Sequence, residues 1–322
     1  MLAVSAVRQS VDDPLSGLEV GEHPDPVVPE GWTTVDLRTC ALNHHDLWSL
    51  KGVGLPADRL PMVLGCDGAG TLDDGTEVLV HAVVSSADWV GDETLDPRRS
   101  LLSEVHDGTL AQRVAVPRRN VVPKPEGLSW EHAACLPTAW LTAYRMLFTN
   151  AAVHPGDTIL VQGAAGGVAT ALVQLGAAAG LRVWVTSRDV ERGQQAVALG
   201  AERAFASGER LPERVDAVLE TVGRATWSHS VNSLRPGGSI VISGATSGDA
   251  PERAELTKIF FRQLRVVGST MGTRDELARL ARFVVGSGIE PLVDSVLPLA
   301  EARSGFARMA EGAVTGKVVF AV

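Results

Sequence analysis

Cysteine is scarce in this sequence of 322 residues, which contains only Cys40, Cys66 and Cys135. The three are far apart, odd in number and include no Cys-x-x-Cys pair, so a disulfide framework is excluded and a reducing cytoplasm is indicated. The N-terminal segment lacks the long apolar core of a signal peptide. No apolar run approaches the length that spans a bilayer, so we expect no membrane segment and no membrane partner.

Positive charge is also in short supply. The chain has 29 Lys and Arg against 38 Asp and Glu, a formal net charge of -9, and no run of basic residues. A surface that binds nucleic acid is therefore not expected. The remaining composition, 45% hydrophobic and 21% charged, is that of a globular protein, and the length is sufficient for two domains.

The pattern of predicted elements divides the chain into a β-rich part and an alternating part. Up to about Val122, short apolar segments such as "EVLVHAVV" and "AQRVAVP" predict strands separated by turns. Ser129 then predicts the cap of a helix through "EHAACLPTAWLTAYRMLF". Beyond it, β-branched runs alternate with helices, which indicates a parallel sheet covered on both faces. We predict an α/β protein with a doubly wound parallel sheet over residues 123–270 and a β-rich domain formed by residues 1–122 and 271–322.

The stretch "VQGAAGGVATALVQLGAAAGLRVWVTSRD", from Val161 to Asp189, has the pattern of a strand, a glycine-rich turn, a helix and a second strand. The paired glycines lie where the first strand becomes the helix, and a Cβ there would obstruct the approach of an anion to the backbone. In this context the turn predicts a dinucleotide-binding site. A tight turn without a ligand is the alternative interpretation. The residues expected to hold the pyrophosphate are Ala165, Gly166, Gly167 and Val168.

An acidic residue is missing at the end of the second strand, where an NAD site offers one to the ribose diol. Ser187 and Arg188 stand there instead, and Arg192 follows one helical turn later. A hydroxyl and two guanidinium groups suit the 2′-phosphate of NADP(H), because arginine provides a fork of permanently charged donors. The sequence therefore favours NADP(H) over NAD(H). Solvated surface arginines are the alternative interpretation.

Seven motifs follow one another along nearly the whole chain: "ALNHHDLWSLKG", "PMVLGCDGAG", "GTLAQRVAVP", "LPTAWLTAYRML", "GAAGGVA", "LRPGGSIVISG" and "TGKVVF". In this order they resemble the medium-chain dehydrogenase/reductase superfamily, in its zinc-free NADPH:quinone oxidoreductase branch. The resemblance implies a GroES-like catalytic domain with an inserted Rossmann domain and a substrate cleft at their junction. It also implies a homodimer formed through the edge strand "LRVVGS", and hydride transfer from NADPH to a quinone or an α,β-unsaturated carbonyl compound.

The resemblance also assigns the catalytic side of the site. Asn43 is expected to orient the nicotinamide ribose or the substrate, and Trp48 to lie close to the acceptor. Asp46 is expected to order the same segment or to connect to a proton path, and a cap of a helix or turn is an equally open interpretation. His44 or His45 could supply a proton near neutral pH. We expect Thr142 to lie beside the nicotinamide. We expect Gly244 to lie in a loop at the carboxyl ends of the parallel strands.

The zinc-dependent relatives hold a catalytic zinc through three ligands, whose positions fall here on Asn43, Cys66 and a residue near Thr138. Asparagine and threonine do not replace two zinc ligands, and catalytic zinc needs three from the protein, so we expect no metal. A rearranged zinc site is the alternative, and it would be drawn from Cys40, His44, His45, Cys66 and Asp67.

Two other functions stay open at the level of the sequence. One is a zinc-dependent alcohol dehydrogenase with a non-standard metal site. The other is a nucleotide-binding protein of low turnover with a structural role, for which the acidic balance disfavours RNA as a partner.

Overall fold

The structure is a computed structural model that describes all residues from 1 to 322. It divides into two compact units, the first formed by residues 1–141 and 271–322 and the second by residues 142–270.

The chain forms eighteen strands and nine α-helices. The strands are β1 (Leu2–Ala6), β2 (Leu18–Glu22), β3 (Trp32–Ala41), β4 (Met62–Val63), β5 (Asp67–Thr71), β6 (Glu77–Val80), β7 (Val83–Val84), β8 (Ser100–Leu101), β9 (Arg113–Pro117), β10 (Val121–Pro123), β11 (Thr158–Gln162), β12 (Arg182–Ser187), β13 (Arg203–Ala206), β14 (Val215–Glu220), β15 (Leu234–Ile242), β16 (Arg265–Gly268), β17 (Val293–Pro298) and β18 (Lys317–Ala321). The α-helices are α1 (His44–Leu50), α2 (Trp130–Cys135), α3 (Leu141–Tyr144), α4 (Gly167–Ala178), α5 (Val190–Ala198), α6 (Trp227–Ser233), α7 (Leu256–Phe261), α8 (Arg274–Ser287) and α9 (Ala302–Ala310). Short 3-10 helices lie at Pro14–Gly17, Ala57–Arg59, Glu93–Leu95, Arg118–Asn120 and Leu299–Glu301, and π-helical segments at Leu136–Trp140 and Arg145–Ala151.

The first unit is built from three sheets, in which all neighbouring strands are antiparallel except β17 and β18, which pair in parallel. Its largest sheet has the strand order β10-β6-β5-β3-β18-β17, with β9 also paired to β3, while β2-β1-β4 and β7-β8 form two further sheets. Strand β18 pairs antiparallel with β3, which places the C-terminal strand beside the segment that leads into α1. Fully buried side chains such as Leu42, Phe306 and Phe320 fill one core of this unit. The C-terminal residues are thus structural members of the β-rich unit.

The sequence pattern assigns residues 123–141 to the Rossmann domain, but the structure places them in the first unit. Helix α2 packs on β3 and β5. The Thr39 hydroxyl donates a hydrogen bond of 2.7 Å to the Trp130 carbonyl. Because these contacts join α2 to the β-rich unit, the first boundary lies after the helix has begun and not after residue 122.

The second unit contains one six-stranded sheet with the order β13-β12-β11-β14-β15-β16, and all neighbouring strands are parallel. The chain starts in the middle with β11, runs to one edge and then crosses to the other, which is the doubly wound arrangement. Leu160, Trp184, Val218 and Ile240 form its buried core. The switch in direction lies between β11 and β14, and their carboxyl ends are where a ligand binds in such sheets.

The helices of the chain show no candidate membrane span, since none combines sufficient length with sufficient apolarity.

Candidate active site

The predicted pyrophosphate turn lies between β11 and α4. Gly166 caps the helix and Gly167 begins it. A Cβ built on Gly166 would meet no atom within 4 Å, so the backbone borders open space at this point. The first amide to bond within the helix belongs to Thr170, which donates to the Gly166 carbonyl, and the amides before it are free to point at a ligand. An exposed helix N-terminus with this geometry suits an anion.

The side chains of this turn differ in exposure. Ala165 is buried, while Gly166 is exposed and Gly167 and Val168 are partly exposed. The buried alanine forms the base of the turn, and the residues after it present their backbone to solvent.

Strand β12 ends at Ser187, where the acidic residue of an NAD site is missing. The Ser187 hydroxyl donates to the Asp189 carbonyl at 2.6 Å and accepts from the Asp189 amide at 3.1 Å. The Asp189 carboxylate in turn accepts from the amides of Glu191 at 2.8 Å and Arg192 at 3.3 Å, so this acid caps α5. Arg188 is exposed and Arg192 is partly exposed in the first turn of α5. Both arginines therefore follow closely after the end of β12, and the nearest acid, Asp189, uses one of its carboxylate oxygens to cap α5.

Gly244 belongs to the loop after β15, residues 243–248, which is bound to the turn after β14. The Ser247 amide donates to the Val222 carbonyl at 2.8 Å, and the Arg224 amide donates to the Gly248 carbonyl at 2.9 Å. A Cβ at Gly244 would come within 3.1 Å of the Thr221 carbonyl oxygen, which explains the glycine there. Thr142 is buried at the start of the second unit.

The turn after β14 is held by a carboxylate that the sequence did not single out. Glu220 is fully buried at the end of β14. One of its oxygens accepts from the amides of Val222 at 2.7 Å and Gly223 at 3.0 Å. The other accepts from the hydroxyls of Thr226 at 2.8 Å and Ser230 at 2.6 Å. Glu220 therefore ties the end of β14 to its turn and to α6.

Asn43 lies at the N-terminus of α1 and is almost completely buried. Its amide oxygen accepts from the Lys317 ammonium at 2.7 Å, and its amide nitrogen donates to the Asp67 carboxylate at 2.9 Å. Lys317 also donates to the same Asp67 oxygen at 2.8 Å. The predicted Asn43 thus sits in a buried network with two charged residues that come from β5 and β18.

Asp46 is fully buried, and both of its oxygens are bound by backbone amides. One oxygen accepts from Asn43 at 2.8 Å and the other from Gly65 at 3.0 Å. Burial raises the pKa of Asp46, although the charge of His45 and the bond from the Asn43 amide oppose this shift. In this arrangement Asp46 orders the start of α1, which is the cap interpretation of its role. Trp48, in the same helix, exposes 39% of its surface.

His45 and His44 face different surroundings, as adjacent residues of a helix do. The His45 ring lies 2.9 Å from the Glu104 carboxylate through Nε2 and 3.6 Å from the Cys66 sulfur through Nδ1. Burial lowers the pKa of His45, but the Cys66 sulfur, the bonds to Cys66 and Glu104 and the charge of Asp46 outweigh it and raise the pKa well above its ordinary value. By contrast, burial and the charge of Lys317 lower the pKa of His44. His45 is therefore the better candidate for a protonated donor.

The three positions matched to zinc ligands do not form a zinc site. The Asn43 amide is committed to Lys317 and Asp67. The Cys66 sulfur contacts the Leu102 carbonyl at 3.3 Å and the Ser103 hydroxyl at 3.6 Å. The buried Thr138 hydroxyl has no partner.

The rearranged zinc site finds no support in the structure either. Cys40 lies in the hydrophobic core with Leu42 and Phe320, and Asp67 is bound to Lys317. No group of three or more His, Cys, Asp or Glu side chains in the chain is arranged to hold a metal ion. These residues therefore do not fit a catalytic zinc.

The sequence motifs contain both charged partners of Asn43, of which Asp67 was considered only as a zinc ligand and Lys317 was given no role. Lys317 stands in "TGKVVF" and Asp67 in "PMVLGCDGAG". A motif alone does not show that a lysine is buried. The position of Lys317 directly before a β-branched run was the one feature of the sequence that could have indicated it. No sequence pattern around Glu104 indicates that its carboxylate contacts His45.

The β-rich unit, the doubly wound unit and the phosphate turn together are the parts of a two-domain nicotinamide-dependent dehydrogenase. The family model for the alcohol dehydrogenase GroES-like domain matches residues 29–126, and the model for the zinc-binding dehydrogenase domain matches residues 167–286. The chain belongs to the medium-chain dehydrogenase/reductase superfamily and is an oxidoreductase. The predicted superfamily and fold class are confirmed.

Similar proteins match over nearly the whole chain. A zinc-type alcohol dehydrogenase-like protein of Schizosaccharomyces pombe is 28% identical, over 98% of this chain and 99% of the relative. The acryloyl-coenzyme A reductase of Sulfurisphaera tokodaii is 25% identical, over 96% and 98%. Among solved structures, an NAD-dependent alcohol dehydrogenase is 34% identical with a TM-score of 0.92 and covers both chains completely. The relatives thus include enzymes named for alcohols and for an unsaturated thioester.

Proposed function

We propose that this oxidoreductase transfers hydride from NADPH to a quinone or an α,β-unsaturated carbonyl compound without a metal ion. The observation that carries the proposal is the Asn43 side chain, which is bound on its oxygen by Lys317 and on its nitrogen by Asp67. A side chain held in this way is not a zinc ligand. An enone or a quinone is electron-poor at the carbon that receives hydride, so its reduction does not require a Lewis acid.

The bound cofactor supplies the hydride, while the protein orients it and stabilises the charge that develops on the acceptor. In the proposal Asn43 orients the nicotinamide ribose or the acceptor, and Trp48 lies close to the acceptor. The raised pKa of His45 favours its protonated form, so we propose His45 as the donor to the oxygen on which negative charge develops. The Glu104 carboxylate holds the His45 ring through its Nε2 atom. Asp46 acts through Asn43 by ordering the start of α1.

The proposed cofactor is NADP(H), held at Ala165–Val168 and beside Thr142 and Gly244. Its 2′-phosphate would be bound by Ser187, Arg188 and Arg192. The support is that β12 ends on Ser187 and not on an acid, and that Asp189, the nearest acid, uses one carboxylate oxygen to cap α5.

The acceptor class is supported by one relative in particular. The acryloyl-coenzyme A reductase is named for an α,β-unsaturated thioester, which is an electrophile of the same kind as an enone. We therefore include enoyl thioesters among the acceptors to be tested.

A zinc-dependent alcohol dehydrogenase is the second candidate. It is favoured by the solved NAD-dependent alcohol dehydrogenase, which is 34% identical to this chain. It is disfavoured by the commitment of Asn43 and by the absence of a metal-binding group of side chains.

A panel of acceptors tests the proposal. NADPH oxidation would be followed with quinones, enones and enoyl thioesters, and alcohol oxidation with NAD⁺ and NADP⁺, before and after dialysis against a chelator. We expect NADPH oxidation by at least one unsaturated acceptor at a rate that chelation leaves unchanged. Alcohol oxidation that is lost on chelation and restored by zinc would favour the second candidate, and no turnover at all would favour a nucleotide-binding protein of low turnover.

A homodimer and a cytoplasmic location complete the proposal. Strand β16 is an edge strand with one unpaired side, and Phe260 and Phe261 beside it are stacked and largely exposed. An exposed edge next to apolar side chains is suited to pairing with a second copy. The location rests on the three cysteines, which are all buried and unpaired.

A further inference from the structure

Lys317 is a charged residue in the interior of the first unit. It is 2% exposed, and the Asp67 side chain that it contacts is fully buried. Its ammonium donates to the Leu42 carbonyl at 2.7 Å, to the Asn43 amide oxygen at 2.7 Å and to the Asp67 carboxylate at 2.8 Å. A lysine has three N–H donors, and all three are used. Burial of a lysine is tolerated only with such partners.

The backbone fixes where this ammonium lies. Gly316 has a φ of +87°, and a Cβ on it would come within 2.3 Å of the Leu292 carbonyl oxygen. The Lys317 amide donates to the same carbonyl at 3.0 Å. The start of β18 is therefore set by a turn that needs glycine, and the lysine side chain leaves the strand at a defined place.

The consequence for Asn43 is a single orientation of its amide. The oxygen faces a cation, and the nitrogen faces a carboxylate that accepts at 2.9 Å. A rotation of the amide by 180° would turn its NH₂ group toward the ammonium and its oxygen toward the carboxylate. Both contacts would become repulsive, so the pair of charges determines which way the amide points.

We propose that Lys317 is the positioning residue of this site: its buried ammonium, together with Asp67, fixes the orientation of the Asn43 amide. The inference deepens the proposed function and rests on the role of Asn43 in it. Lys317 touches neither cofactor nor acceptor in this role and acts through Asn43. If Lys317 served only to neutralise Asp67, removal of both charges together would restore turnover. If Lys317 positions Asn43, removal of both charges would not restore it, so the two roles can be separated.

The side-chain amide of Asn43 can be observed directly, because the chain contains only four asparagines: Asn43, Asn120, Asn150 and Asn232. Labelling with [¹⁵N]asparagine gives four side-chain NH₂ signals, and the Asn43→Ala variant identifies the one of interest. In the parent protein we expect a shifted signal that exchanges slowly with solvent. In Lys317→Met we expect this signal to move toward that of a free amide and to exchange faster, with the other three unchanged.

Turnover gives the second readout. Lys317→Met should lower kcat by about a hundredfold, the size of effect that a misplaced orienting group produces, while NADPH affinity stays within a few-fold. Because Lys317→Met leaves the Asp67 charge buried and alone, the variant can be unstable. The double variant Lys317→Met with Asp67→Asn removes both charges, and we expect it to recover thermal stability but not kcat. In an Asn43→Ala background, Lys317→Met should cause no further loss of kcat.

Lys124 provides a matched control. Its ammonium pairs with Glu77 at 2.8 Å in the same unit, and it contacts none of the residues of the Asn43 network. Lys124→Met should leave the Asn43 signal and kcat unchanged.

The outcomes distinguish a failure of the positioning role of Lys317 from a failure of the proposed function. An Asn43 signal that is unchanged in Lys317→Met would overturn the positioning role, whatever the acceptor proves to be. Recovery of the parent kcat in the double variant would also overturn it, because Lys317 would then be only a charge partner. A changed signal in a protein that reduces no unsaturated acceptor would leave the positioning role intact and refute the proposed function.

Discussion

Single side chains after β12 decide between the two nicotinamide cofactors in the proposed function. Arg192→Glu replaces a donor for the 2′-phosphate by a repelling charge. A hydrogen bond to a charged group contributes about 1.5–3 kcal/mol, so we expect NADPH to bind at least about tenfold more weakly. NADH has no 2′-phosphate, and its affinity should change no more than a few-fold. Titration of the intrinsic protein fluorescence with each cofactor measures both constants.

Arg118→Glu is the control for this experiment, because Arg118 is an exposed arginine of the first unit. The control should bind both cofactors as the parent does. If Arg192→Glu weakens NADPH and NADH equally, the assignment of the phosphate site is wrong.

His81 makes the stability of the chain depend on acidity. It is 1% exposed, neither ring nitrogen has a partner, and burial with a smaller effect of Arg274 lowers its pKa to about 3. Since the pKa in the unfolded chain is about 6.5, the unfolded state binds the proton first and stability falls as the pH drops below this value. The loss is about 1.4 kcal/mol per pH unit, or about 2 kcal/mol at pH 5.

His81→Leu removes this titration. We expect the difference in free energy of unfolding between pH 7 and pH 5, measured with urea, to shrink by about 2 kcal/mol. His154 is exposed, so His154→Leu should leave the difference as it is in the parent. The same pH dependence in His81→Leu and the parent would contradict a depressed pKa.

Several site residues could be predicted from the sequence, and others could not. The place of the paired glycines at the start of α4 could be predicted because a short local pattern determines the turn from strand to helix, while their binding of a pyrophosphate stays a prediction. Lys317 was not, because its partners Asn43 and Asp67 are 274 and 250 positions away along the chain. Glu104 lies 59 positions from His45 and shows the same limit. Pairings that form only in the folded chain leave no periodic signal in its sequence.

At the scale of elements, Glu220 joins β14, its turn and α6. Glu220→Gln introduces an NH₂ group among four donors, and we expect the free energy of unfolding to fall by about 2–3 kcal/mol. Because the turn at Val222–Arg224 carries the loop of Gly244, NADPH affinity should fall by about tenfold as well. Urea unfolding and cofactor titration measure the two effects.

Glu202→Gln is the matched control, since Glu202 pairs with Arg182 at 3.0 Å in an exposed position of the same unit. An exposed ion pair contributes at most about 1 kcal/mol, and cofactor affinity should not change. A Glu220→Gln variant that is as stable as the control would show that the buried carboxylate is not the anchor of the turn.

Elements with strong local patterns were predictable, and the exceptions have identifiable causes. Strand β11 is fully buried on both faces, as its central apolar run of Ile159, Leu160 and Val161 predicts. The run "EVLVHAVV" predicts one strand but forms two. At its centre the His81 amide bonds to the Asn120 carbonyl, and the Ala82 carbonyl accepts from Leu102, so the chain passes from the β5-β6 pairing to the β7-β8 pairing. Such a change of sheet depends on partners far away in sequence.

The helix after Ser129 also departs from its prediction. Ser129 caps it as expected, by accepting from the His132 amide at 3.2 Å. Pro137 then falls within the first π-helical segment. Proline lacks an amide hydrogen and therefore interrupts the α-helical hydrogen bonds. The pattern of apolar residues does not register this interruption, so it predicted an α-helix where the chain forms a π-helical segment.

At the scale of the whole molecule, the proposed homodimer predicts a dependence on the surface around β16. Phe261 is 75% exposed, and Phe261→Glu places a charge in the proposed interface. We expect the parent to sediment at about twice the chain mass of 33.9 kDa and the variant to shift toward a single chain. Val27 is 88% exposed in the first unit, and Val27→Glu should leave the mass unchanged. A parent that is monomeric at all concentrations would refute the homodimer.

The fate of the hydride is the most direct test of the central claim. NADPH carrying deuterium at the transferred position would be supplied, with an enone as acceptor, to protein whose zinc content has been shown to be negligible. Reduction of the conjugated double bond places deuterium on the β-carbon and gives a saturated ketone, whereas alcohol dehydrogenase chemistry places it on the carbonyl carbon and gives an allylic alcohol. We predict deuterium on the β-carbon, located by NMR of the product. Deuterium on the carbonyl carbon, or turnover only after zinc is added, would contradict the proposed function.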